Sequence, residues 1–163
     1  MMPKPEPQKE HQWLQKLVGE WTYEHEVPGE DGQPPKKVTG TESVRSLGGI
    51  WVQGEGRGEM PGGEPATMLI TIGFDPQTKR FVGTWVGSMM TKLWVYDGWL
   101  DETGNVLTLE SEGPDFSGAE GKTSKYRDII NMKSDDHRVF TGNVQGEDGK
   151  WNQFMETHYH RKK

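Results

Sequence analysis

The side chains best able to do chemistry in this chain are histidines, and two of them, His158 and His160, flank Tyr159 in the closing stretch ETHYHRK. Residues two apart on a β-strand share a face, so these imidazoles could chelate zinc with Glu156 as a third ligand. The same spacing gathers Thr157, Tyr159 and Arg161 on the opposite face. Another alternating stretch, WTYEHEV, groups His25 with Trp21 and Tyr23. Imidazole titrates near neutral pH and is a first choice for a general acid or base; Asp128, Arg127 and Glu110 are the candidate partners for His25. Which of these groups forms a site depends on which face of each strand turns inward.

Several other chemistries are excluded. The chain has no cysteine, which removes disulfides, thiolate metal ligands and thiol nucleophiles. It contains no nucleophile elbow, phosphate loop or dinucleotide fingerprint. The fragments GEGRGE and GPDFSGAEG do not open helices, so they form no helix-terminal phosphate site. A formal charge of -6, from 19 basic and 25 acidic side chains, with no basic stripe, argues against nucleic acid and against an anionic membrane surface. No run of 18 apolar residues and no apolar leader core are present, so the expected location is the cytoplasm.

The 163 residues fit one domain able to bury roughly 70% of its unfolded surface. Only 31% of them are apolar, yet seven Trp, five Phe, four Tyr and eight Met run along the whole chain; large rings replace aliphatic side chains. Residues 1–8 read as a flexible tail and 9–163 as a single β-barrel domain. Trp13, Leu14 and Leu17 fall at helical spacing before Gly19, which predicts a short N-terminal helix. Beyond it, β-branched and aromatic stretches predict ten strands, near 19–27, 37–47, 49–57, 67–74, 80–88, 91–100, 105–112, 123–132, 138–145 and 150–161.

The links DPQTK, DETGN, SDDH and EDGK are too short for a crossover helix and carry the residues of tight turns, so the strands are antiparallel. PGEDGQPP, EMPGGEP and GPDFSGAEG are longer and suit loops at a barrel mouth. GSMM is ambiguous: 81–100 could be a hairpin or one long strand bent at a glycine bulge.

Gly19, Glu20 and Trp21, directly after the short helix, resemble the Gly-x-Trp signature that opens lipocalin and calycin barrels. In such barrels an Arg of the last strand packs across that Trp, the role the resemblance gives to Arg161. The pairing has a parity test. Opposed positions of two antiparallel strands share one sum, so Trp21 against Arg161 sets Tyr23 against Tyr159 and His25 against Thr157, all six on one face. If that face is the interior, His158 and His160 point outward; a slip of one residue reverses everything.

The strings GFDPQTKRFVGTWVGSMMTKLWVYDGWLDETGNVLTLESEGP, GKTSKYRDII, DDHRVF and DGKWNQFMETHYHRK resemble the bacterial family of unknown function DUF1579, whose lipocalin-like barrel is all that the resemblance implies. An all-β, ten-stranded antiparallel up-and-down barrel, closed at one end by the short helix, is therefore the expected fold. Such a barrel is wider than the eight-stranded form that side chains can just fill, so a cavity follows. The expected lining is Trp85, Trp94, Tyr96, Tyr126, His25, Thr157 and Tyr159. Gly83 and Gly87 would bare the wall to a ligand.

The leading function is non-catalytic binding of a small hydrophobic molecule, without a cofactor or metal. The ordinary alternative makes these rings the core of an aliphatic-poor protein. A small-barrel isomerase or hydrolase built on His25 is the second reading. The third follows from a resemblance to nitrobindin barrels, which implies haem held through His158. A scaffold or homodimer, with Trp99 or Trp151 meeting a second subunit, completes the set.

Overall fold

The computed structural model describes residues 2–60, 62–116 and 120–163. Gln8 opens the helix α1 (Lys9–Leu14), and a 3₁₀ turn (Gln15–Leu17) leads directly into β1 (Gly19–Val27). Nine further strands follow: β2 (Lys36–Leu47), β3 (Trp51–Glu59), β4 (Pro65–Asp75), β5 (Arg80–Gly87), β6 (Trp94–Leu100), β7 (Val106–Pro114), β8 (Thr123–Ser134), β9 (His137–Gln145) and β10 (Trp151–Arg161). Each pairs antiparallel with its sequence neighbours, and β1 pairs with β10, so the sheet closes into a ten-stranded barrel. No helix among the described residues is long and apolar enough to cross a membrane.

The seam has the register expected from parity: Trp21 opposes Arg161 and Tyr23 opposes Tyr159. Four short turns, after β4, β6, β8 and β9, sit where the tight-turn strings lie. In the first, Asp75 caps the turn by accepting the N–H of Gln77 at 2.9 Å, the habit that enriches Asp in turns. GSMM resolves as a turn. β5 ends at Gly87 and β6 begins at Trp94, three residues later than expected; the chain reverses there, with Met90 N–H on the Gly87 carbonyl. The bent-strand alternative is thereby overturned. Of the long loops, EMPGGEP contains Pro61 and GPDFSGAEG contains residues 117–119, which lie outside the described residues, as does Met1 of the tail.

The barrel has a packed floor and an unfilled upper half. Trp13, Leu14, Leu17, Trp21, Ile72, Phe81, Leu107, Leu109 and Ile130 form one buried cluster at the helix end. The helix is tied on by polar bonds as well as by its apolar face. Trp13 Nε1 donates to the Gly104 carbonyl at 2.6 Å. The Gln8 N–H donates to His11 Nδ1 at 2.9 Å, which leaves the His11 proton on Nε2, donated to the Phe74 carbonyl at 2.9 Å. Both ring nitrogens of this buried histidine are thus used structurally.

At the floor, the indole of Trp21 is wholly buried between two guanidinium groups. Arg161 lies 4.2 Å from its centroid and Arg138 4.6 Å, stacking that suits a planar cation on an aromatic face. Arg161 also donates to the carbonyls of Val18 (2.7 Å), Lys16 (2.9 Å) and Asp135 (2.9 Å), fastening the helix-to-strand junction to the β8–β9 turn. Gly19 makes this crossing possible. A Cβ there would collide with the Arg161 guanidinium, and its φ of +138° is one that L side chains rarely adopt.

Near the mouth the ladder thins at two places. Among the described residues, rungs join β6 to β7 only between Asp97–Leu100 and Leu107–Glu110, and β1 to β10 only from Trp21 to Glu24. Gly83 is a correction of detail: a Cβ there would strike the Thr71 carbonyl, so its bareness serves the approach of β4, not a ligand. Trp99 and Trp151 lie on the outer face, each half-buried and stacked by a guanidinium, Arg80 over Trp99 at 5.0 Å and Arg127 over Trp151 at 4.2 Å.

Replacing Arg161 by Ala removes one stacking face of Trp21 and three carbonyl contacts, and should cost about 2–4 kcal/mol. Arg161→Lys should recover little of it, because an ammonium reproduces neither the stack nor the fork. Urea denaturation of the two variants decides this; an unchanged midpoint for Arg161→Ala would remove the seam from the stability argument.

Candidate functional site

Above the Trp21 stack the interior holds a cavity of about 270 Å³, close to the lower end of common small-molecule sites. Glycine placement shapes one side of the interior. Inward positions of β2 and β3 carry Gly40, Gly54, Gly56 and Gly58; in register Gly40 opposes Tyr23, Gly54 opposes Val44 and Gly56 opposes Glu42. Tyr23 lies down on this bare patch; a Cβ at Gly40 or at Gly58 would overlap its ring or hydroxyl. Val52, Met68, Ile70, Ile72, Ile130 and Phe140 form the apolar wall.

At the mouth, aromatic rings cluster edge to face. Tyr126 meets Trp94 at 5.1 Å, Phe116 at 5.9 Å and Phe154 at 6.2 Å between centroids. Trp94 lies over Gly113, whose Cβ would collide with the indole, and so occupies the gap where β6 and β7 part. Phe116 and Phe154 are 64% and 57% exposed, large rings facing solvent at the cavity entrance. Phe154 stands at a bulge in β10, between Gln153 and Met155, which re-aims a side chain as bulges do.

Of the expected lining residues, Trp85, Trp94, Tyr126, His25, Thr157 and Tyr159 border the cavity. Tyr96 is buried behind it and donates its hydroxyl to Asp128 Oδ2 at 2.5 Å. His25 stacks parallel to Tyr23 at 6.2 Å, and its Nδ1 is buried with no hydrogen-bond partner among the described residues. Burial lowers its pKa, so the ring is neutral at pH 7. Two of the partners expected for His25 are not available to it: Arg127 and Glu110 face outward and pair with each other at 2.9 Å, one strand position away from the inward Asp128. His158 also lies on the outside, its Nδ1 3.1 Å from His137 Nε2 and its Nε2 3.2 Å from Glu156. Its ring therefore does not reach the cavity, and among the described residues no group of three or more His, Cys, Asp or Glu side chains is placed to hold a metal ion.

Sequence reasoning missed the polar floor. Arg138 and Glu42 form an ion pair with side chains 4% and 10% exposed, and the Arg138 guanidinium is clamped between Trp21 and Tyr159, 3.9 Å from the latter. Parity could have found Glu42, which opposes Trp21, and Arg138, which opposes Tyr159. Ser111 and Thr157 are also buried at the cavity wall, and neither hydroxyl has a hydrogen-bond partner among the described residues.

Electrostatically the interior is one connected cluster. Burial, and then the Glu42 charge, push the Tyr159 hydroxyl upward. Burial and the adjacent Asp128 do the same to Tyr96. Both phenols are thus neutral donors. Asp128 is raised to about 6 by burial, which the Tyr96 hydrogen bond only partly opposes. Among the described residues it has no cationic partner.

A family model described as "Protein of unknown function (DUF1579)" matches residues 6–161. No curated protein matches the chain. Among solved structures, the chain is similar to Rv2717c from M. tuberculosis, with a TM-score of 0.63 and 12% identity over 97% of this chain and 100% of that one. It is also similar to the redesigned beta barrel b11L5F_LGL, with a TM-score of 0.47 and 13% identity over 93% of this chain and 96% of that one, and to EF1p2_mFAP2b bound to DFHBI, with a TM-score of 0.46 and 15% identity over 93% and 98%. These likenesses are of fold alone.

An acid whose folded pKa lies above its unfolded one favours folding only while protonated. The ordinary value for Asp128 is 3.8 and its folded value about 6, so its contribution to stability is lost as pH rises across that window. Asp128→Asn should therefore gain stability relative to the native chain between about pH 4 and pH 6, and hold that advantage above. Urea melts of both proteins at a series of pH values test it; parallel pH profiles would contradict the assignment.

Proposed function

This chain belongs to DUF1579, a family of proteins of unknown function, and we propose that it is a non-catalytic binder of one small, mostly apolar molecule held inside the barrel. The observation that carries this reading is the division of the interior. A floor packed with Leu, Ile and Trp would not need a ten-stranded wall to continue above it, yet the wall continues around an unfilled space bordered by Met68, Ile70, Trp85, Phe140 and Tyr126. Gly54 on β3 and Ser111 on β7 keep parts of that wall small. Exposed Phe116 and Phe154 at its entrance supply the apolar contact that a ligand would cover on entry.

The second reading, acid–base catalysis by His25, has one observation on its side: the unpartnered Nδ1 facing a cavity. Against it, Arg127 and Glu110 are engaged with each other on the outer surface and Asp128 is bonded to Tyr96, while His25 Nδ1 has no hydrogen-bond partner among the described residues to orient it as catalytic imidazoles are oriented. Binding alone asks nothing further of the geometry.

The test uses N-phenyl-1-naphthylamine, a neutral fluorophore that brightens in apolar surroundings. The native protein should bind it at a single site in the micromolar range, and Ser111→Phe, which projects a ring into the cavity, should weaken binding at least about tenfold while keeping a cooperative melt. A folded native protein that gives no fluorescence change, or a Ser111→Phe variant that binds equally well, would overturn the reading.

A further inference from the structure

The inward charges of the barrel do not balance. Glu42 and Arg138 neutralise each other in a close pair, and Arg138 is held in place by the rings of Trp21 and Tyr159. Arg161 lies on the far side of Trp21, occupied by backbone carbonyls and by Asp136 at 3.3 Å. What remains at the cavity wall is the carboxyl of Asp128. Its Oδ2 accepts from Tyr96; among the described residues no cation bonds to it. Acidic side chains removed from bulk water are ordinarily paired, so this one stands without the partner that its setting calls for.

The surroundings of Asp128 are matched in kind. Ser111 sits on the neighbouring strand β7, opposite Tyr126 and so diagonal to Asp128 on the same inner face. Thr157 lies on β10, and the Tyr159 phenol is close enough to feel the Asp128 charge. These are hydroxyl oxygens able to accept as well as donate, and the Ser111, Thr157 and Tyr159 hydroxyls are not used by any side chain or carbonyl among the described residues. The mouth above them is aromatic, with Trp94, Tyr126 and Phe154 at the rim. One end of the cavity is therefore acidic and rich in acceptors, and the other end is apolar.

Resting on the binding reading above, we infer that the ligand is an apolar amine that enters head first, its protonated nitrogen seated on Asp128 and neighbouring hydroxyls and its hydrocarbon body against the wall and the aromatic mouth. An ammonium carries three donors and no acceptor, which fits one carboxylate oxygen and two hydroxyl oxygens. A charge-assisted hydrogen bond inside a low-dielectric cavity is stronger than a neutral one. A carboxylate head would fare badly. It would approach Asp128 and Glu42, and the one inward guanidinium it could seek pairs with Glu42 through Nη2 and is held between the Trp21 and Tyr159 rings, with its buried Nε unpartnered among the described residues.

Three probes with the same ten-carbon tail separate the possibilities: n-decylamine, n-decanol and sodium decanoate, titrated calorimetrically at pH 7.5 and checked for stoichiometry by native mass spectrometry. The native protein should bind one equivalent of each of the first two, the amine at least about tenfold more tightly than the alcohol, and the carboxylate least. In Asp128→Asn the amine-to-alcohol ratio should collapse to within about twofold; Asp128→Leu serves if the amide variant melts without cooperativity. An amine preference that survives both replacements reports attraction to the acidic outer surface and overturns the inference, as does tighter binding of decanoate than of decylamine. Either result leaves the apolar-binder reading standing. Failure of all three probes to bind a folded native protein sinks that reading itself.

Discussion

The structure depends on one stack. Arg161, Trp21, Arg138 and Tyr159 lie one over the next, with cation-to-ring distances of 4.2, 4.6 and 3.9 Å, where the first and last strands meet. Strand closure alone would join β1 to β10 through few backbone rungs. The stack adds side-chain bonding across that joint and, through three carbonyls, binds the helix and the β8–β9 turn to it. Flat cations suit this position because they bring charge to an aromatic face without demanding a full hydration shell.

The stack also divides the barrel into its two parts. Below it, helix and strands pack as a conventional core, with Leu14 and Leu107 wholly enclosed. On its upper side Arg138 pairs with Glu42, an ion pair whose desolvation is costly and is offset only by close geometry and by the rings on either side of the guanidinium. Ionic groups of this kind stabilise a fold less than an apolar filling of equal volume would. Their presence at the base of an unfilled space is more consistent with shaping a polar end to the cavity than with strengthening the core.

Most of the architecture was readable because strand period and turn chemistry act locally. The sum rule between positions 21 and 161 located the seam, and with it the inward faces of β1 and β10, since a period of two leaves no intermediate choice. The interior charges were harder to read for the same reason. Glu42 and Arg138 sit in strands where every second residue is polar, and a polar residue in an alternating strand is ordinarily assigned to the outer face; only extending the parity argument across two further strands would have turned them in. Asp128 and Arg127 illustrate the opposite case. Adjacent in sequence, they cannot share a face, so grouping both with His25 conflicted with the alternation used elsewhere. The place of Tyr96 behind Asp128, and of Gly83 against a neighbouring carbonyl, depends on distances between strands that no single strand encodes.

The two places where the ladder thins, between β6 and β7 and between β1 and β10, stand on roughly opposite sides of the ring and both at the open rim. The barrel is thus like a cask hooped at its base and slack at its lip: β7 to β10 form one stave bundle, the other six strands a second. Splaying these bundles breaks few backbone bonds and leaves the arginine-clasped base untouched. The sheet is therefore held by fewest rungs at its rim, and it is indole 94 with its neighbouring rings that stands across the entrance there.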